Sequence, residues 1–137
     1  MVAGTHGTTF GGNPLAMAVG NAVLDVVLED GFLEGVRARG VNLSQLMAEI
    51  TDSYPDFFEL VRGKGLLMGI KAKIPNGEIV EALKNSGVLA VPAGENIIRM
   101  LPPLTVTDEE LREAKNRMIK GLDQLAKTKN VENKKNS

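Results

Sequence analysis

Two stretches of this chain carry residue types suited to holding an anion. Between Thr8 and Asn13 the sequence reads TTFGGN, and Pro14 then opens an apolar helical pattern. A helix start leaves backbone N–H groups without intrahelical partners and carries a partial positive charge. The adjacent Gly11 and Gly12 let backbone approach a ligand closely, and the hydroxyls of Thr8 and Thr9 can donate to oxyanions. Together these features describe a phosphate site at a helix start. A tight turn that only caps the helix would use the same residues. No lysine follows where a Walker-type phosphate loop requires one.

The second stretch is NIIRMLPPL, where Arg99 stands among Ile97, Ile98, Met100 and Leu101. A guanidinium buried there needs a partner, and its planar fork suits a carboxylate, from a ligand or from a protein glutamate. The alternative is an arginine on the solvated face of an edge strand. Gly63, Gly65 and Gly69 imitate a dinucleotide fingerprint, but one residue too many precedes the third glycine and a strand follows it instead of a helix. They read as turn and strand packing. His6 is the only histidine and there is no cysteine. Thiolate catalysis, disulfides and cysteine-rich zinc sites are therefore excluded, and a lone histidine without clustered acids is a poor metal site. No serine–histidine–aspartate arrangement can be assembled, and no lysine stands in an evidently desolvated context.

Asn13 and Pro14 suit the cap and first position of a helix, and the spacing from Leu15 to Val26 carries that helix to about Leu28, with Gly31 as its C-terminal glycine. A second helix is predicted from Phe32 to Ser53, with Leu33, Val36, Gly40, Leu43, Met47 and Ile50 on one face. FFELVRGKGLLMGIKAKI reads as two extended segments around Gly63–Gly65. A short helix over roughly Gly77–Asn85 follows, then two short strands in VLAVPAG and NIIRMLPP joined by a hairpin-like Gly94-Glu95-Asn96. Thr107 and Glu110 form a capping box, from which Leu111, Ala114, Met118, Leu122 and Leu125 line the last helix. The order α-α-β-β-α-β-β-α predicts an α+β fold, a small and mostly antiparallel sheet flanked by helices. The expected organisation is a loop and linking helix over 1–31, a small α+β domain over 32–127, and a disordered polar tail over 128–137.

The chain has 137 residues, 43% hydrophobic and 24% charged, with net charge −1. A near-neutral chain is not drawn electrostatically to nucleic acid or to an anionic membrane. No apolar run approaches the roughly 20 residues of a membrane span, and the N-terminus lacks the basic start and apolar core of a signal peptide. The abrupt opening MVAGTHGTTF suits the interior of a longer protein.

GTHGTTFGGNPLAMAVGNAVLDVV, VRGKGLLMGI and GVLAVPAGENIIRMLPPLTVTDEEL, in that order, resemble the C-terminal part of class-III pyridoxal-phosphate aminotransferases of fold type I, over about residues 4–126. The resemblance implies a cytoplasmic homodimer whose small-molecule partners are an amino donor and 2-oxoglutarate. It implies that Thr9, with Thr8 as neighbour and second donor, binds the cofactor phosphate across the subunit interface. It also implies that Arg99, the arginine of an R-x-x-P-P-L motif, faces the substrate side of the pocket and pairs with a carboxylate or an active-site glutamate. The family's cofactor-bearing lysine lies upstream of these motifs and has no counterpart here. The expectation is an inactive C-terminal portion of an active enzyme, and the rival from another class is a non-catalytic binding or dimerisation remnant.

Overall fold

The computed structural model describes residues 7–135, with side chains through residue 130. The chain forms two compact units, Met1–Gly35 and Val36–Ser137, so the boundary falls four residues beyond the expected 31.

The first unit is dominated by helix α1 (Pro14–Val27), which starts where the Asn13 side chain accepts from the Ala16 N–H. Gly31 adopts φ +81°, a left-handed conformation that glycine takes without steric cost. Helix α2 (Phe32–Ser53) begins there and continues into the second unit.

In the second unit, strands β1 (Phe58–Lys64) and β2 (Leu67–Ala72) form a hairpin. Its turn begins at Gly65, φ +58°, where two-residue hairpin turns favour glycine. Helix α3 (Asn76–Asn85), strand β3 (Val91–Ala93), strand β4 (Ile97–Met100) and helix α4 (Asp108–Lys135) follow. The sheet order is β1-β2-β4-β3, with every neighbouring pair antiparallel. The α+β expectation, with a small antiparallel sheet and helices, is what the chain adopts.

Alternation along the strands divides the sheet into two faces. Met68, Ile70, Ala72, Ile98 and Met100 are buried, and join Leu43, Met47 and Ile50 of α2, Ile79 and Leu83 of α3, and Leu111, Met118 and Leu122 of α4 in one core. The predicted face of α2 is present from the half-buried Val36 onward, whereas Leu33 is exposed. A Cβ at Gly40 would stand 2.9 Å from Gly65 Cα, so this glycine lets the helix lie against the hairpin turn.

Tyr54 closes the core's edge: its hydroxyl is 2.7 Å from Asp123 Oδ1 and 3.3 Å from the Ile119 carbonyl oxygen. Burial, then the hydrogen bond to Asp123, pushes the phenol up to about 12. The capping box of α4 forms as predicted: the Thr107 N–H donates to Glu110 Oε2 at 2.8 Å and the Glu110 N–H to Thr107 Oγ1 at 3.2 Å.

The structure corrects the C-terminus. Helix α4 runs to Lys135, through most of the stretch expected to be a disordered tail over 128–137. An established helix lengthens without a new nucleation cost, and polar composition alone does not stop it. Thr128 Oγ1 donates to the Gln124 carbonyl oxygen at 3.1 Å, and Lys129 pairs with Glu78 of α3 at 2.6 Å.

Candidate functional site

In the first unit, the segment before α1 folds back on itself. The Gly11 N–H donates to the Thr8 carbonyl oxygen at 3.3 Å, and the Asn13 N–H to that of Phe10 at 3.4 Å. Asn13 Nδ2 also donates to the Phe10 carbonyl oxygen at 2.6 Å, while its Oδ1 accepts from the Ala16 N–H at 2.9 Å. Gly12 takes φ +72°, which reverses the chain just before the helix. Thr8 and Thr9 are exposed, and neither hydroxyl makes a hydrogen bond with the described residues. Two hydroxyls without a partner among the described residues, a few residues ahead of the positive end of a helix, are a donor set that fits the phosphate end of a ligand. His6 lies outside the described residues, and among the described residues no acidic or histidine cluster could hold a metal ion.

Helix α1 itself buries none of its residues. Leu15 is 75% exposed, Leu28 72% and Phe10 80%, and Met17, Val19, Val23 and Leu24 are also exposed. Apolar surface left open over a whole helix marks an interaction face.

In the second unit, Arg99 sits on the face of the sheet opposite the core. Ile98 and Met100 on either side are buried while Arg99 is exposed. The alternative of an edge strand is corrected in one respect: β4 lies between β2 and β3, so Arg99 projects from the sheet interior. Its Cα partners are Gly69 on one side and Val91 on the other. It makes no hydrogen bond or ion pair with the described residues, which leaves its fork available. The tight Gly94–Asn96 turn precedes β4, with Glu95 and Asn96 at φ +58° and +60°. Asn96 holds that turn: its Oδ1 accepts from the Asn76 N–H at 2.8 Å, and its Nδ2 donates to the carbonyl oxygens of Ala72 and Ile74, each at 2.8 Å. Asn76 Nδ2 reciprocates toward Ala93 and Ile97.

The sequence reading passed over Arg62. Leu60, Arg62 and Lys64 alternate with Val61 and Gly63, a period-two signal for one strand face, but only the register shows that Arg62 shares its row with Arg99. A larger apolar hollow, between α2, α4 and the segment 87–106, is lined by Leu43, Met47, Val88, Met100, Pro103 and Leu111 among others, and none of the predicted site residues lies on it.

The family described as aminotransferase class-III matches residues 1–122. The chain is 60% identical to acetylornithine aminotransferase of Mesorhizobium japonicum over 126 residues, 92% of this chain and 32% of that protein. It is 61% identical to acetylornithine aminotransferase of Agrobacterium fabrum over 113 residues, 82% of this chain and 28% of that protein. Among solved structures, acetylornithine aminotransferase from Elizabethkingia anophelis superposes with TM-score 0.77 at 36% identity, covering 90% of this chain and 33% of that one. An ornithine aminotransferase from Toxoplasma gondii, described as having partial occupancy of PLP at its active site, superposes with TM-score 0.78 at 32% identity, covering 93% of this chain and 31% of that one. The chain thus spans about a third of the length of the relatives it matches.

Proposed function

This chain belongs to the class-III aminotransferases, a family dependent on pyridoxal phosphate, and on that premise we propose that it works as the C-terminal part of an acetylornithine aminotransferase. The complete enzyme would pass an amino group from N-acetylornithine to 2-oxoglutarate in arginine biosynthesis, as a cytoplasmic homodimer. The observation that carries the reading is the family match over residues 1–122, which takes in both the Thr8–Asn13 loop and Arg99. The 60% identity with an acetylornithine aminotransferase supports that substrate over ornithine, succinylornithine or 4-aminobutyrate.

The cofactor, when bound, supplies the electron sink that amino transfer requires. This chain's residues would hold and orient. The Thr9 hydroxyl, and Thr8 beside it, donate to phosphate oxygens while the start of α1 contributes its positive end. Gly11 and Gly12 allow the backbone close to that phosphate. The loop serves the cofactor held mainly by the other subunit. Arg99 takes a substrate carboxylate in its fork, from a strand whose sheet neighbours fix its root. The lysine that carries the cofactor belongs to the upstream portion, so the 137-residue chain alone does not turn over. The uncovered apolar surface of α1 supports this division, because a helix that normally rests on further protein keeps such a surface.

The test is the full-length enzyme with Thr9→Ala and Arg99→Ala. Thr9→Ala is expected to weaken pyridoxal phosphate binding by about tenfold, the loss of one charge-assisted hydrogen bond. Arg99→Ala is expected to raise KM for 2-oxoglutarate. Wild-type enzyme that prefers ornithine to N-acetylornithine would move the reading to another member of the family. Unchanged cofactor affinity in Thr9→Ala would remove the loop's role.

A further inference from the structure

Asn76 and Gly77 form the one Asn-Gly pair in the sequence. The side-chain amide of an asparagine is open to attack by the backbone nitrogen of the next residue, and the attack is easiest where that residue is glycine, with no side chain to hinder it. The pair stands in the first turn of α3, where Asn76 is half-buried and Gly77 exposed. A Cβ at Gly77 would meet nothing within 4 Å, so the space beside the attacking residue is open.

The fold opposes that reaction in two ways. Ring closure needs Asn76 Cβ and Gly77 N to come nearly eclipsed about the Asn76 Cα–C bond, and helical backbone holds them well apart. The amide that must leave is also tied down. Asn76 Nδ2 donates to the carbonyl oxygens of Ala93 at 3.1 Å and Ile97 at 2.9 Å, residues paired across the mouth of the Gly94–Asn96 turn. The Asn76 N–H donates to Asn96 Oδ1 at 2.8 Å. Asn96, the other half of this clasp, is followed by Ile97, whose branched side chain crowds the nitrogen. Asn85, before Ser86, is exposed at the end of α3, and its side chain has no hydrogen bond among the described residues.

We propose that Asn76 is a spontaneous modification site held shut by its own hydrogen bonds: deamidation there follows opening of the Asn76–Asn96 clasp and then keeps the clasp open. Gly77 N bonds to Asn76 Cγ, the Cγ–Nδ2 bond breaks, and Nδ2 leaves as ammonia with the Gly77 amide proton, giving a cyclic imide. Solvent water adds at either imide carbonyl and reopens the ring as aspartate or isoaspartate. One water is consumed and one ammonia released, with no oxidant or reductant. Aspartate at this position turns a carboxylate oxygen, in place of a donor, toward the carbonyl oxygens of Ala93 and Ile97, which leaves those acceptors unpaired. The favourable placement of a carboxylate at a helix start offsets that loss only in part. Isoaspartate adds a carbon to the backbone and breaks the first turn of α3.

The experiment is peptide mapping by mass spectrometry of the full 137-residue chain, incubated at mildly alkaline pH with and without urea, following Asn76 with Asn85 as internal reference. In urea, Asn76 is expected to deamidate faster than Asn85. In the folded chain Asn76 should slow about hundredfold, the suppression given by three hydrogen bonds of ordinary net worth, and fall behind Asn85. Asn96→Gly should restore about tenfold of the lost rate, whereas Gly40→Ala, also destabilising but outside the clasp, should not. Gly77→Ala should remove the fast reaction in urea and keep the fold, and Asn76→Asp should unfold at lower urea than wild type. Equal rates at Asn76 in the folded and unfolded chains overturn the protection. Equal acceleration by Asn96→Gly and Gly40→Ala overturns local opening of the clasp as the controlling step. An Asn76→Asp chain as stable as wild type overturns the claim that the product keeps the clasp open.

Discussion

Asn96 offers a severe test of how the turn before Arg99 is held. The residue sits at φ +60°, and its side chain makes three hydrogen bonds at 2.8 Å, one accepted from the start of α3 and two donated to the end of β2 and the loop after it. Asn96→Gly keeps the backbone conformation and loses all three bonds. At about 1 kcal/mol for each bond, the expected loss is about 2–3 kcal/mol, the lower figure allowing for partial water access at a half-buried site. Asn96→Ala adds the left-handed backbone strain of a side chain with no local hydrogen bond, about 1 kcal/mol more. Asn96→Asp keeps the acceptor but turns a carboxylate oxygen toward two carbonyl oxygens, and should be at least as damaging as alanine at neutral pH. The assay is equilibrium urea unfolding followed by circular dichroism, comparing midpoints at constant slope. The reasoning is refuted if the glycine variant lies within 0.5 kcal/mol of wild type, because three bonds of this geometry cannot then be holding the turn.

Other consequences are independent of that turn. Gly40→Ala gains helix propensity of about 1 kcal/mol, yet its Cβ would meet the Gly65 backbone at 2.9–3.3 Å. Overpacking against backbone should dominate, giving a net loss of about 1–2 kcal/mol by urea unfolding. Tyr54 is the only tyrosine and there is no tryptophan, so tyrosinate absorbance reports it directly. Its folded pKa of about 12 lies above the ordinary 10.0. The folded state therefore holds the proton more tightly, and its stabilising effect is complete below pH 10 and is lost as pH rises from about 10 to about 12. Tyr54→Phe should remove that alkaline component. The Thr107 backbone N–H, then its hydroxyl, holds the Glu110 carboxyl below the usual carboxylate range. Its contribution is present above the ordinary glutamate pKa and is lost as pH falls through the lowered value, so the deficit of Glu110→Ala at neutral pH should vanish in acid. The open apolar surface of α1 should make the isolated chain self-associate, and light scattering from Leu15→Lys/Val23→Lys should show fewer assemblies than wild type.

Local signals carried the elements and non-local ones did not. Asn13-Pro14, the spacing through Phe32–Ser53 and the Thr107–Glu110 box are short-range interactions, and each appears as read. The end of α4 was misplaced because lysine- and asparagine-rich sequence, judged by composition, hides that a helix already under way continues cheaply. Strand order was out of reach: nothing within NIIRMLPPL states that β4 is interior, and the β1-β2-β4-β3 pairing joins residues about thirty apart in sequence. Arg62 was missed for the same reason, since its relation to Arg99 exists only through Gly69. The turn and helix cap of the Thr8–Asn13 loop were legible because glycine, asparagine and helix start act over a few residues.

The central claim, that this chain acts as the C-terminal third of a longer transaminase, is tested most directly by the mass of the polypeptide that carries it in its source cells, read by immunoblot against residues 36–130. The account predicts a species far above the 14.7 kDa of this chain, as expected if the chain is about a third of its protein. A single species at 14.7 kDa would contradict it, leaving Thr9 and Arg99 without the catalytic domain they are proposed to serve.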